Sequence, residues 1–219
     1  MQSMAYAAVL FDLDGVLLNT MPYHLEAFNE CFRSFGIEVS EQTIAGKSTV
    51  DVFRSLLPSA ISRDEIAELS TRKSSISRKL IFENSSNVLD PRTNALLRKV
   101  GSRYPMAICT SGKQESIQAA KEIGLETSLF SVILTHSDVE KSKPDPEIFV
   151  KGASRLTKPP ETCLVVEDSI SGVTAALAAG CSVAVMRGMG FLRLPSEEKT
   201  FYISQLWDLW PILDNNLTI

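Results

Sequence analysis

Short, almost continuous runs of apolar residues recur along the chain, and segments with helical periodicity separate them. Strands that are buried on both faces of a parallel sheet have this uninterrupted character, whereas half-exposed strands alternate apolar and polar residues. The runs that we interpret as buried strands are Ala7–Phe11, Met106–Cys109, Val132–Leu134, Cys163–Val166 and Val183–Met186. Their alternation with helices predicts an α/β protein with a Rossmann-like, doubly wound parallel sheet.

Helices are predicted between these strands from residue 90 onward. The predicted segments are one that opens at Asp90-Pro91 and runs towards Arg103, then Lys113–Ile123, Asp145–Leu156, Ser169–Ala179 and a terminal apolar helix over Leu206–Leu213. Aspartate followed by proline is typical of a helix start, and Gly124 and Gly180 are typical of residues that follow a helix end. We expect these helices to cover both faces of the sheet.

The first two strands are separated by more than 90 residues, far more than a simple crossover needs. Apolar residues at three- and four-residue spacing predict helices over Tyr23–Phe35, around Val52–Leu57 and around Ile66–Leu69. We therefore predict an inserted helical cap domain. The predicted bounds are 19–86 for the cap, with the polar segment 83–87 as return linker, and 1–18 with 87–219 for the α/β core.

Composition restricts the possible partners. The net charge is −4, with 44% hydrophobic and 22% charged residues, which is typical of a globular protein and gives no basic patch for nucleic acid or an anionic membrane. We find no apolar run long enough to span a bilayer and no signal peptide, and therefore expect a cytoplasmic, most simply monomeric protein. The four scattered cysteines are interpreted as buried free thiols.

Reactive side chains follow four of the predicted strands at their carboxyl ends. They are Asp12 and Asp14 after the first strand, Thr110 and Ser111 after the second, Lys143 in the loop after the third, and Glu167 and Asp168 after the fourth. Ligands of open α/β sheets bind in the crevice outside the carboxyl ends of the strands, so the topology brings these distant residues to one rim. The acidic residues indicate Mg²⁺, which prefers oxygen ligands.

Four motifs occur in the order and at the spacing of one known superfamily. They are Phe11–Leu17 (FDLDGVL), Ile108–Ser111 (ICTS), Ser142–Phe149 (SKPDPEIF), and Val165–Ser169 (VVEDS) with Gly172. Through these motifs, over nearly its whole length, the chain resembles the haloacid dehalogenase-like hydrolases, and within them the β-phosphoglucomutase-like phosphatases with a helical cap. The resemblance implies a Mg²⁺-dependent phosphatase that acts on a small phosphorylated metabolite such as a sugar phosphate.

The resemblance also implies a role for each matching residue. Asp12 would attack phosphorus and form an aspartyl-phosphate, while Asp14 would give a proton to the leaving oxygen and later take one from the attacking water. Lys143 would offset the negative charge and hold Asp12. Thr110 and Ser111 would bind a phosphoryl oxygen.

The same resemblance implies the metal ligands. They are the Asp12 carboxylate, the Asp14 backbone carbonyl and the Asp168 carboxylate, with Glu167 contributing directly or through water. Lys113 lies at a predicted helix start, where anions are favoured, and is a candidate contact for a substrate phosphate.

The predicted cap should select the substrate. His24 stands where the family often has a histidine that faces the active site, and Lys47, after the cap glycine Gly46, is a second candidate contact. Where β-phosphoglucomutases carry an arginine that grips a distal phosphate, this chain has Thr49, and a lysine does not reproduce the guanidinium fork. This difference favours a phosphatase over the alternative, a sugar-phosphate mutase.

Three other functions were weighed against the residues. A signalling receiver domain also surrounds a phosphorylated aspartate with acids, a threonine and a lysine, but has no helical insert after its first strand. A metal-independent dehalogenase would give Asp14 and the pair Glu167-Asp168 no task. An inactive binding scaffold would have no reason to keep Asp12, Asp14, Lys143 and Asp168 together. His136 is interpreted as an ordinary loop residue.

Overall fold

The computed structural model describes residues 6–44, 47–186 and 199–214. The chain divides into two compact units, one formed by Met1–Leu18 with Leu89–Ile219 and the other by Asn19–Val88. We call them the α/β unit and the helical unit. Gly46, the predicted cap glycine, lies outside the described residues.

The α-helices follow one another along both units. They are α1 (Met21–Phe32), α2 (Glu41–Ile44), α3 (Thr49–Leu56), α4 (Arg63–Glu83), α5 (Ser85–Val88), α6 (Thr93–Gly101), α7 (Gln114–Glu122), α8 (Glu147–Arg155), α9 (Ile170–Ala178) and α10 (Leu209–Leu213). The first five belong to the helical unit and the others to the α/β unit.

The α/β unit is built on one parallel sheet. Its strands are β1 (Ala8–Phe11), β2 (Met106–Cys109), β3 (Val132–Leu134), β4 (Cys163–Glu167), β5 (Ser182–Met186) and β6 (Thr200–Ile203). Their order across the sheet is β3-β2-β1-β4-β5-β6, and each neighbouring pair is parallel. The central strands β1, β2 and β4 are buried along their whole length, as their uninterrupted apolar sequences predict. The predicted α/β class is confirmed.

Helices bury the faces of this sheet. Leu10 and Val165 lie in one apolar cluster together with Phe149 of α8 and Val173 of α9. Alternate residues of a strand point to opposite faces, so the neighbouring Phe11 faces away from this cluster and contacts the ring of Phe130 edge-on at 5.9 Å. The sheet is therefore covered on both sides, as in other doubly wound folds.

The start of α6 differs from the prediction. The helix begins at Thr93, not at Asp90-Pro91, and ends at Gly101. The Asp90 carboxylate accepts hydrogen bonds from the backbone N–H of Arg92 (2.9 Å) and from its guanidinium (2.9 and 3.1 Å), and the Thr93 N–H bonds the Asp90 carbonyl. These bonds fold the three residues into a turn that precedes the helix, because a short polar side chain competes with the helical pattern.

Two further segments differ from the prediction. The polar segment 83–87, predicted as a linker, ends α4 and continues into the short helix α5. The carbonyl of Val88, the last residue of α5, accepts a hydrogen bond from the N–H of Asn19, the first residue of the helical unit. Strand β6 was not predicted. It lies at the edge of the sheet, and its residue Tyr202 is 43% exposed, so it lacks the continuous burial that marks the inner strands.

The helical unit has its own aromatic core. The rings of Phe28 and Phe32 of α1 lie 5.5 and 5.0 Å from the ring of Phe53 of α3, and all three are buried. Two of its helix starts carry capping side chains: Ser48 caps α3, and Ser62 and Glu65 form a reciprocal capping box at α4. The predicted helices of this segment are present as α1, α3 and α4. A 3₁₀ turn, Arg33–Phe35, follows α1 and ends at Gly36, whose φ of +66° is a left-handed conformation that glycine adopts without strain.

All four cysteines are buried and free, as predicted. Cys31 lies in the helical unit, whereas Cys109, Cys163 and Cys181 lie in the α/β unit. Across the described ranges, no helix combines the length and the apolar character that crossing a membrane requires.

Candidate active site

The register of the central strands aligns the first candidate residues. Phe11 of β1 pairs with Ile108 of β2 on one side and with Val166 of β4 on the other. Asp12 continues the ladder, since its N–H donates to the Val166 carbonyl at 3.0 Å. Asp12 and Glu167 each follow the paired residues by one position, so both lie at the carboxyl edge of the sheet.

Lys143 is the centre of the charged cluster at this edge. Its Nζ donates to Asp12 Oδ1 (2.6 Å), to Glu167 Oε1 (2.7 Å) and to the backbone carbonyl of Cys109 (2.9 Å). The side chain is 4% exposed, and the ring of Phe149 lies 4.8 Å from Nζ. All three N–H groups of the ammonium are therefore used, and its position is fixed by β1, β2 and β4 together.

Burial and charge shift the ionisation of these groups in opposite directions. Burial raises the pKa of Asp12 to about 7 against the lowering effect of the Lys143 ammonium, and the nearby carboxylates of Glu167 and Asp14 raise it further. Burial disfavours the charge of Lys143, but Asp12 and Glu167 outweigh that effect and raise the pKa of the ammonium. The Lys143 ammonium therefore stays charged, and it lies beside the Asp12 carboxylate, which has further carboxylates nearby.

Glu167 holds the turn that follows β4 with its other oxygen. Oε2 accepts hydrogen bonds from the backbone N–H of Asp168 (2.8 Å), from the N–H of Ser169 (2.8 Å) and from the Ser169 hydroxyl (3.0 Å). The residue is 1% exposed. Both carboxylate oxygens of Glu167 therefore have protein partners, and the residue links Lys143 to the backbone of Asp168.

Asp168 lies against the turn that carries Asp14. Gly15 has φ +80°, and a Cβ built there would overlap the carboxylate of Asp168. Glycine is required at this position both for the left-handed backbone and for the space. Burial raises the pKa of Asp168, and the charges of Glu167 and Asp12 raise it further, so the acids are close enough to repel one another.

Thr110 and the residues after it form the loop from β2 to α7. Thr110 is 1% exposed and its Oγ1 accepts the N–H of Gly112 at 2.9 Å, so the hydroxyl proton remains available to donate. Ser111 is exposed, and Lys113 is the exposed residue that precedes the first turn of α7. The Thr110 N–H bonds Leu134 O at 3.0 Å, which places this loop at the same edge as Asp12.

Comparison with known proteins identifies the family. A sequence model described as haloacid dehalogenase-like hydrolase matches residues 9–186. The chain belongs to the haloacid dehalogenase-like hydrolases. The resemblance that the motifs carry is therefore confirmed, and residues 9–186 include every one of them.

Two of the proteins similar to this hydrolase in sequence are named as phosphatases. It is 33% identical to a phosphorylated carbohydrates phosphatase of Thermotoga maritima, over 79% of this chain and 81% of that protein. It is 34% identical to hexitol phosphatase A of Escherichia coli, over 80% of each. The prediction of a phosphoric monoester hydrolase is confirmed at the level of enzyme class.

The fold matches that of a solved structure. The structure of a β-phosphoglucomutase from Clostridium difficile superimposes with a TM-score of 0.78, covering 96% of this chain and 98% of that one at 21% identity. At this identity the match concerns the fold of the chain, an α/β sheet core with an inserted helical segment.

The donor set at the edge of the hydrolase sheet fits a divalent cation. Asp12 and Glu167 contact the Lys143 ammonium, and the charges of neighbouring carboxylates, those of Glu167 and Asp14 among them, raise the pKa of Asp12 and of Asp168, so several acids lie near one ammonium. Within the described residues, no three His, Cys, Asp or Glu side chains are arranged as a complete metal-binding group. The ligand set that the resemblance implies contains only two such side chains, the carboxylates of Asp12 and Asp168, together with the backbone carbonyl of Asp14. All of these donors are oxygens, which Mg²⁺ prefers.

The helical unit of the hydrolase contains a contact between a buried lysine and a histidine that the sequence did not reveal. Lys73 of α4 is 6% exposed, and its Nζ lies 3.1 Å from Nδ1 of His24 on α1 and 4.5 Å from the centre of the Phe28 ring. Lys73 occupies the buried stripe of α4 seven residues after Ile66. A lysine within an apolar stripe was the available signal, and sequence reasoning did not use it.

The other predicted cap residues lie just before and at the start of α3. Lys47 is exposed and precedes α3, and Thr49 is the first residue of that helix, after its N-cap Ser48.

In the α/β unit, His136 is an exposed residue of a 3₁₀ turn, as expected of a loop histidine. Its Nδ1 lies 3.0 Å from the Ser142 hydroxyl, next to Lys143.

Proposed function

We propose that this hydrolase is a Mg²⁺-dependent phosphatase that releases phosphate from a small phosphorylated metabolite through an aspartyl-phosphate on Asp12. The observation that carries the proposal is the 2.6 Å contact of the buried Lys143 ammonium with Asp12 Oδ1. A carboxylate held beside a fixed cation can approach an anionic phosphoryl group, from which it would otherwise be repelled.

In the first step, a carboxylate oxygen of Asp12 forms a bond to phosphorus while the bond from phosphorus to the leaving oxygen breaks. Asp14 gives its proton to that oxygen, so the product leaves as a neutral alcohol. Lys143 balances the charge on the phosphoryl oxygens, and the Thr110 hydroxyl and the Ser111 N–H donate to one of them. Each of these groups lies at or next to the carboxyl edge of the sheet.

In the second step, water attacks the phosphorus of the aspartyl-phosphate. Asp14, now ionised, accepts the proton of the attacking water, and the bond between phosphorus and the Asp12 oxygen breaks. Phosphate is released, and both carboxyl groups return to their starting protonation states. The same aspartate thus acts first as acid and then as base.

The proposed ligands of Mg²⁺ are the Asp12 carboxylate, the Asp14 carbonyl and the Asp168 carboxylate. When bound, the cation would neutralise phosphoryl charge and lower the pKa of the carboxylates around it. We assign Glu167 to Lys143 and to the turn after β4, because both its oxygens already accept hydrogen bonds from the protein.

We propose that the helical unit acts as the cap and selects the substrate. Its candidate substrate contacts are His24 and the exposed Lys47, and the exposed Lys113 of the α/β unit is a separate candidate contact for a substrate phosphate. Relatives that hydrolyse phosphorylated carbohydrates and hexitol phosphates support a sugar or sugar-alcohol phosphate as the substrate class.

Phosphate release from a panel of sugar, sugar-alcohol and acid phosphates tests the proposal. We expect activity with Mg²⁺, loss of activity with EDTA, and a fall in kcat of at least about a thousandfold in Asp12→Asn, as found when a nucleophile is removed. Asp64→Asn, which changes an exposed aspartate of α4, is the matched control and should match the wild type. Equal hydrolysis by the wild type and Asp12→Asn would show that Asp12 is not the nucleophile.

The same panel separates hydrolysis from phosphoryl transfer between positions of one sugar. Thr49 stands at the start of α3 in place of an arginine, and a mutase must hold a bisphosphate at both ends. With β-glucose 1-phosphate and a trace of the bisphosphate, we expect free phosphate. Formation of the isomer without free phosphate would instead identify a mutase.

A further inference from the structure

Gly172 is a glycine inside a helix where the backbone does not require one. It is the third residue of α9, it is buried, and its φ is not in the left-handed region. Glycine is a weaker helix former than alanine, and alanine occurs twice in the next four positions of the helix, at Ala175 and Ala176. The absence of a side chain at this position therefore has a cause outside the helix itself.

That cause is the carboxylate of Glu167. A Cβ built on Gly172 would overlap Oε1, Cδ and Oε2 of Glu167, and nothing else is as near. The Gly172 N–H also donates to the Ser169 hydroxyl at 3.1 Å, and this hydroxyl donates to Glu167 Oε2 at 3.0 Å. The space left by the missing side chain is thus filled by the acid that holds Lys143.

Displacing Glu167 would disturb the nucleophile through Lys143. The ammonium is held at 2.7 Å by Glu167 Oε1 and reaches Asp12 Oδ1 at 2.6 Å. If the carboxylate moves, Lys143 loses one of its three acceptors and its fixed position beside Asp12. The backbone of Asp168, which Oε2 also binds, would lose a partner at the same time.

We propose that Gly172 is a positioning residue that acts through Glu167 and Lys143 on Asp12. The proposal rests on the proposed phosphatase function for its effect on turnover. The atoms that a methyl group would meet belong to the end of a side chain and not to backbone, so Gly172→Ala can fold by moving Glu167. The expected defect is therefore in catalysis more than in stability.

Steady-state kinetics of Gly172→Ala with the best phosphate ester of the panel test this role. We expect kcat to fall about 10- to 100-fold, the size of effect that displacement of supporting groups by about 1 Å produces. KM should change much less, because Glu167 does not contact the substrate. Gly101→Ala, whose new methyl group would meet only the flexible end of Met106, is the control and should leave kcat unchanged. Unchanged kcat in Gly172→Ala would overturn the proposal.

A double-mutant cycle with Glu167→Ala identifies the pathway of the effect. Without the Glu167 carboxylate the methyl group at position 172 has nothing to displace, so Gly172→Ala should cause no further fall in kcat in this background. Independent, multiplicative losses would overturn the proposal. If Gly172→Ala alone did not fold, folding of the double variant would support the same clash, and failure of both would overturn it.

A crystal structure of Gly172→Ala gives a readout that does not depend on activity. We expect the Glu167 carboxylate to leave its position and the Lys143 contact with it to break. If the Glu167 carboxylate kept its position and its contact with Lys143, the inference would be contradicted. If the wild type releases phosphate from no ester, the proposed function fails, while this structural comparison still decides the role of Gly172.

Discussion

Lys143 is a buried cation whose three N–H groups bind two carboxylates and one carbonyl. Removing one partner of such a cluster leaves the others buried without compensation, which costs more than an exposed ion pair contributes. The geometry makes the burial of Asp12 and Glu167 dependent on Lys143. We therefore expect a change at Lys143 to affect folding as well as the proposed catalysis.

Lys143→Met should destabilise the metal-free protein by about 3–5 kcal/mol at pH 8, the range found when one partner of a buried ion pair is removed. Urea unfolding measures this difference. Lys141→Met is the control, because Lys141 is 73% exposed and its contact with Asp145 spans 3.7 Å; it should change stability by less than about 1 kcal/mol. Similar losses in the two variants would contradict the assigned burial of charge.

At this scale the sequence predicted which charged and polar side chains meet better than it predicted the contacts between them. Asp12, Thr110, Lys143 and Glu167 were predicted at one rim, because a parallel sheet gathers the carboxyl ends of its strands. The contact of Lys143 with Asp12 was expected from the resemblance. Its contacts with Glu167 and with the Cys109 carbonyl were not predicted, because these residues lie 24 and 34 positions away and the contacts depend on side-chain packing. Lys73 was missed for the same reason, since its neighbour His24 lies 49 residues away.

The loop that carries Lys143 is held by the first residue of helix α8. The carboxylate of Glu147 accepts the backbone N–H groups of Glu140 (3.0 and 3.1 Å) and Lys141 (2.9 Å), and Lys151 donates to it at 2.5 Å. The hydrogen bond from Lys151, followed by those from the two backbone groups, lowers the pKa of Glu147 to about 2. The ionised carboxylate thus ties the loop before Lys143 to the start of α8.

The sign of the pH effect follows from this lowered pKa. A carboxyl group whose pKa is lower in the folded than in the unfolded state stabilises the fold above the unfolded pKa, which is about 4.3 for glutamate, and loses this contribution as the pH falls towards the folded value. Glu147→Gln should therefore be less stable than the wild type at pH 7. The difference should shrink between about pH 4.3 and pH 2.

Thermal unfolding of both proteins across this pH range checks the prediction. Glu115→Gln, which changes an exposed glutamate in the first turn of α7, serves as control. A difference between Glu147→Gln and the wild type that stayed constant down to pH 3 would show that the carboxylate charge is not the cause.

The elements that the sequence predicted are those whose pattern is set by burial. Strands β1, β2 and β4 read as continuous apolar runs because the sheet is covered on both faces. Edge strand β6 lacks this pattern, and Tyr202 faces outward. The start of α6 was misplaced because Asp90 satisfies the Arg92 N–H in a turn, a local competition that an aspartate-proline signal does not distinguish from a helix cap.

Each of the two units has an apolar core of its own. In the helical unit, the core centres on Phe28, Phe32 and Phe53, and in the α/β unit on the sheet and the helices that cover it. The free energy of local unfolding can therefore differ between the units, because it depends on the contacts within each unit.

Phe53→Ala should remove about 3–5 kcal/mol of stability, as expected for truncation of a fully buried phenylalanine. Phe53 is 0% exposed, whereas Phe82 of the same unit is 61% exposed, so Phe82→Ala is the control and should change stability by less than about 0.5 kcal/mol. Hydrogen exchange should increase mainly in α1, α3 and α4 and remain slow in β1, β2 and β4. Faster exchange of equal size in both units would show that they open together.

The distribution of the cysteines has a practical consequence for following such openings. Cys31 is buried in the helical unit, and Cys109, Cys163 and Cys181 are buried in the α/β unit. Burial raises the pKa of each of these thiols, so none is reactive until its surroundings open. The natural chain thus carries a reporter in each unit, and the rate at which an alkylating reagent modifies each thiol would time the opening of that unit without any engineered label.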